Sequence, residues 1–206
     1  MRQEIETYFR ENMGIYILIT ALFAAGVFAG ALTLRGLGAE QLGQLNLFFD
    51  LFVDGFREIP AEQGTLFRQA LGLNFRYLFL TWFLGLFLYG FPLIAGLVGL
   101  RGFSLGFTVG FLVRRHALRG ALFASGAILP HNLLMIPTLI IGGMTAFSFS
   151  WLRLRSSLEQ QPCSLREYIG SYSLMFLFVA MLMGAAVFVE AYISPVFVKL
   201  LISTIR

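Results

Sequence analysis

Long uncharged apolar stretches alternate with short charged clusters along the whole chain. From Gly14 to Leu34 there is no charged residue, enough for one helical crossing of a hydrocarbon core ~30 Å thick. Ahead of it, the opening residues to about Met13 read as a short amphipathic helix on the membrane surface, with Ile5, Tyr8 and Phe9 able to share a face. Arg35 to Arg76 is the one extended polar region. Leu42, Leu45, Phe48, Phe49 and Phe52 fall near helical spacing there, with Gln41, Gln44, Asp50 and Asp54 elsewhere on the turn. That pattern predicts an amphipathic interfacial helix, followed by a second short one near Thr65 to Leu73.

Tyr77 to Leu100 reads as a second span, kinked by Pro92 after Gly90. The pattern then becomes irregular. Gly102 to Val113 is a short apolar piece between Arg101 and the cluster Arg114, Arg115, His116 and Arg119. Another runs from Gly120 to Leu129 and stops at Pro130, His131 and Asn132. Pieces this short predict a broken or re-entrant segment near 102–130, because backbone leaving a helix at membrane depth must be covered by protein or water. Leu133 to Trp151, carrying Pro137, and Tyr172 to Ser194, carrying Glu190 and ending at Pro195, complete the set. The expected fold is all-α: one integral membrane domain over residues 1–206 with about five transmembrane helices and an external amphipathic loop at 35–76.

Composition agrees. Apolar residues make up 58% of the 206 and charged residues 13%, about half the charged share of a soluble domain, and the mean hydropathy is +0.79. The net charge of +4 is scattered in small groups, with no basic stripe interleaved by aromatics, so the partner is a lipid bilayer and not nucleic acid. The polar, mixed-charge N-terminus and the length of the first apolar run give no cleavable signal pattern. Charge bias leaves two topologies open: five spans with the N-terminus inside, or four with the Arg114 cluster and C-terminus inside as well. In both, the 35–76 loop is external.

The chemistry-bearing positions are few. Gly26 and Gly30 form a GxxxG pair, and Gly102, Gly106 and Gly110 repeat every fourth residue; both patterns let helices approach closely in lipid, and the ladder would equally line a pore. Pro130 marks a break, where His131 and Asn132 serve to satisfy the freed backbone groups, with proton transfer by His131 as the rival role. Glu190 is an ionisable group inside a span, by default a functional-site signal; near the end of its helix, it is expected to receive a hydrogen bond or a cation from a facing helix. Arg114, Arg115 and Arg119 fit membrane anchoring or anionic headgroups. With two histidines and the single Cys163, the chain has no HExxH and no cysteine-based zinc cluster. It also lacks a GxSxG, a P-loop and a dinucleotide fingerprint. No catalytic residue, metal site or cofactor is expected.

Five stretches carry a family resemblance. These are REN-x-GIY at 10–16, NFRYLFLTWFLG at 74–85, GFTVGFLV at 106–113, LPHNLLMIP at 129–137 and EAYISP at 190–195. In this order and at this length the chain resembles stage II sporulation protein M. The resemblance implies a multi-pass protein of the mother-cell septal or engulfing membrane in endospore-forming bacteria. Its role would be a noncatalytic scaffold that anchors two peptidoglycan hydrolases, sporulation proteins D and P, during engulfment. A transport or channel subunit using the broken-helix region and Glu190 is the alternative.

Overall fold

A computed structural model describes the backbone of residues 2–58, 63–158 and 165–193. It describes their side chains except at 2–12, 52–58, 63, 66, 116–131, 165–168 and 193. Every regular element among them is helical: α1 (Arg2–Thr33), α2 (Ala39–Glu58), α3 (Gln63–Gly85), α4 (Phe91–Leu158), α5 (Leu165–Phe188) and a terminal π-turn, Val189–Ile193. The chain is a polytopic helical membrane protein. Four stretches are long and apolar enough to cross a bilayer: Met13–Thr33, Phe91–Arg115, Asn132–Leu158 and Ile169–Tyr192.

α4 is helical throughout but folds back on itself. Phe91 and Ser150 lie 59 residues apart in sequence, which would be ~90 Å in a straight helix. Yet the Phe91 N–H donates to Ser150 Oγ at 3.0 Å, and Val98 packs on Gly143. Both pairs place the midpoint of the hairpin at residues 120–121, inside the segment expected to be irregular. The first arm is α4a (91–115) and the second α4b (132–158).

Packing fixes the direction of every crossing. On α1, Gly26 faces the backbone of Gly99 and Phe103, and Gly30 that of Phe103 and Phe107. Both registers advance together, so α1 and α4a run parallel. The chain must therefore return between them, and α3 is the element that does so, although Arg68, Asn74 and Arg76 make it the least apolar crossing. Leu78 meets Gly142 and Gly85 meets Ala146, which sets α3 parallel to α4b. Phe149 stacks on Tyr172 with centroids 4.3 Å apart, and Gly142 meets Val179, so α5 runs antiparallel to α4b. Five crossings result. The central column is α4b, buried along almost its whole length from Met135 to Ser150.

Three boundaries differ from the sequence expectation. The span placed at 77–100 is two elements: α3 ends at Gly85, a turn follows, and α4 begins at Phe91. Pro92 does not kink a helix; it occupies the first turn of a new one, where a missing N–H costs nothing. Second, the short helix placed at 65–73 is the first half of α3, so Arg76 is within a crossing and not at its start. Third, no separate surface helix precedes the first span, because α1 is continuous from Arg2.

The turn at 86–90 carries no charged side chain, and several of its backbone groups are satisfied within the fold. Leu86 and Phe87 donate to Phe83 and Leu84 carbonyls at 3.0 Å each. Fully buried Ser150 accepts from Phe91 N–H and donates to Phe87 O at 2.7 Å. Gly90 is required here, since a Cβ would run into the Leu84 carbonyl. Buried hydroxyls along the spans bond back four residues, as Thr81 does to Tyr77 O at 2.9 Å and Thr145 to Ile141 O at 2.8 Å, which hides them from lipid.

Candidate functional site: a polar cavity within the bundle

The glycine faces are spent inside the protomer. A Cβ at Gly26 or Gly30 would strike a carbonyl of α4a, and one at Gly102 or Gly106 would strike Phe23 or Val27 carbonyl of α1. Gly110 lies against Ala31 and the Leu34 side chain. The two glycine patterns are therefore one parallel helix–helix seam, with each helix supplying the hollows for the other. The ladder packs; it lines no pore.

On the other side of α4a a cavity of about 260 Å³ lies among α1, α3, both arms of α4 and the π-turn. Phe23, Leu105, Met135, Ile136 and Leu139 supply its apolar wall. Asn74, Arg101, Ser104, Thr108, Asn132 and Glu190 supply polar groups. Arg101 sits about ten residues into α4a, ~15 Å from its start and hence near mid-membrane. Its Nη2 donates to Asn74 Oδ1 at 3.2 Å, and its Cζ lies 4.7 Å from the Tyr77 ring centroid. Asn74 is itself held by a bond from Nδ2 to Ala70 O at 3.0 Å. The π-turn brings Glu190 to the same space, and its Oε2 is buried with no hydrogen-bond partner. Single π-turns of this kind often sit at functional sites.

Of the positions singled out in the sequence, Asn132 and Glu190 come together at this cavity, and the five glycines form the seam. Glu190 differs from its expectation of a hydrogen bond or cation from a facing helix. Pro130 and His131 lie where the backbone is helical, but their side chains are outside the described residues. Cys163 and Pro195 also fall outside them. The sequence reading missed Arg101 and Asn74, because a lone arginine between apolar pieces was read as a boundary. The available signal was that apolar runs of ten or more residues flank Arg101 on both sides, with Gly99 and Gly102 continuing one helical face through it.

Within the basic cluster, Arg114 and Arg115 meet α1 and α2, while the Arg119 side chain lies outside the described residues. Arg114 donates to the Leu34 carbonyl at the end of α1, a cation on the negative end of a helix. Arg115 reaches α2: it donates to Asn46 O at 2.8 Å, pairs with Asp50, and lies 4.7 Å over the Phe49 ring. Phe49 in turn packs edge-on against Phe111, centroids 6.0 Å apart. Both arginines thus share a membrane face with α2. The four-span topology, which separated the Arg114 cluster from the 35–76 loop, is excluded by these contacts.

Among the described residues no three His, Cys, Asp or Glu side chains converge as a metal site. Against known families, the model of Stage II sporulation protein M matches residues 19–195. No curated protein and no solved structure matches the chain.

Proposed function

The chain belongs to the stage II sporulation protein M family, and on that premise we propose that this sporulation-related, multi-pass membrane protein is a noncatalytic scaffold. It anchors peptidoglycan hydrolases, sporulation proteins D and P, in the mother-cell septal or engulfing membrane and so localises wall cleavage during forespore engulfment.

The observation that carries this reading is the way α2 is held. Among the described residues, Asn46, Phe49 and Asp50 tie one face of it to the bundle. The far face presents Leu47, Phe48 and Leu51, which are 62%, 72% and 64% exposed. An amphipathic helix carried outside the bundle with a free apolar stripe fits a partner's groove, whereas the seam glycines have no surface left to offer. Docking is therefore assigned to α2 and not to Gly26 and Gly30. The test replaces Leu47, Phe48 and Leu51 with serine and follows fluorescently tagged hydrolases in engulfing cells. Septal foci should disperse while the variant itself stays at the septum; foci that persist would sink the assignment to α2.

The polar cavity favours a second reading, a transport or channel subunit, since charged groups at membrane depth mark transport sites. Solute flux into vesicles reconstituted with this chain alone, lost in Glu190→Gln, would put that reading first.

A further inference from the structure

Arg101 and Glu190 line one cavity, yet among the described residues neither has a counterion. An arginine near mid-membrane is costly unless an anion or several acceptors meet it. What Arg101 meets is one amide oxygen and one aromatic face, both neutral. Glu190 has a buried carboxylate oxygen without any partner. Among the described residues the two do not pair with each other. Opposite charges are thus held apart across a space whose remaining polar lining is neutral: Asn74, Ser104, Thr108 and Asn132.

A simple anion in this space would leave Glu190 unmatched, and a simple cation would leave Arg101 unmatched. A molecule carrying both charges compensates the two at once. We propose that the cavity binds a small zwitterion, its anionic group on Arg101 and Asn74 and its ammonium group on Glu190. At about 260 Å³ the space has room for a compact polar head. Two sources carry this chemistry: the headgroup of phosphatidylethanolamine, arriving from the bilayer, and a free amino acid, arriving from the aqueous face. The site is independent of α2, so scaffold and ligand site stand or fall separately.

The test uses the purified full chain in mild detergent, stripped of lipid and followed by native mass spectrometry and thermal unfolding. The probes are phosphatidylethanolamine, phosphatidylglycerol as an anion without ammonium, and glycine as the free amino acid. One phosphatidylethanolamine retained per chain assigns the site to lipid, and a thermal shift with glycine alone assigns it to a solute. In either case Arg101→Gln and Glu190→Gln should each weaken binding at least tenfold. Ser104→Phe, which keeps both charges and fills the space, should abolish it, and this variant decides the matter if Arg101→Gln does not fold. The proposal is overturned if neither zwitterion binds, if Ser104→Phe binds normally, or if phosphatidylglycerol binds as well as phosphatidylethanolamine.

Discussion

At the scale of single residues, glycine is what lets α1 and α4a touch along their backbones. The seam has no slack at Gly106, where a side chain would overlap Val27 from its carbonyl to its Cα. Gly106→Val should destabilise the protein by more than the ~1–3 kcal/mol usual for an overpacked core, because backbone and not a side chain must move. Gly96, on the same helix with nothing nearby, is the control. Gly96→Ala should leave thermal unfolding in detergent unchanged, or raise it slightly through helix propensity. Equal melting temperatures for the two variants would refute the seam. The glycines at 26, 30, 102, 106 and 110 were legible from spacing as close-packing candidates, but spacing left a pore lining open for the ladder until its contacts with α1 decided it. Arg101 was not, because in one dimension a charge at mid-span looks the same as a charge between two spans.

At the scale of elements, apolar run length located α1, α4b and α5 well and misplaced the boundary between α3 and α4. The reason is physical. A turn between soluble helices announces itself with polar residues, but the 86–90 turn is leucine, phenylalanine, leucine, tyrosine and glycine. Its polar needs are met by Ser150 from the other end of α4, a partner no local window contains. α2 shows the reverse case: its amphipathic pattern was plain, while what holds it was not, because Arg115 lies across the bundle in sequence. Arg115→Ala removes the Asp50 pair, the Asn46 bonds and the Phe49 contact together. Hydrogen exchange within residues 39–51 should then rise by an order of magnitude or more, with protection in α4b unchanged. Exchange that stays slow would mean that α2 is held by something other than this clamp.

At the scale of the whole molecule, five crossings put the start of α1 and the end of α4b on one face, and α2 with Arg114 and Arg115 on the other. Charge counting favoured four spans without deciding between four and five; the contact of Arg115 with α2 separates them. The scaffold reading further requires the α2 face to be external, where the wall is. With Cys163 replaced by serine, Gln44→Cys should react with an impermeant maleimide in intact cells, and Ser157→Cys only after permeabilisation. Labelling of both from one side would contradict the fold, and the reverse pattern would contradict the scaffold reading alone. The bundle's outward apolar residues, such as Leu174, Leu177 and Met181, need no partner but lipid.

The most direct test of the scaffold reading is affinity purification of the intact protein, in mild detergent, from cells undergoing engulfment. The account predicts that sporulation proteins D and P are both recovered at close to one copy per scaffold, and that recovery falls when Leu47, Phe48 and Leu51 are replaced with serine. A folded, septum-localised protein that brings down neither hydrolase would contradict it.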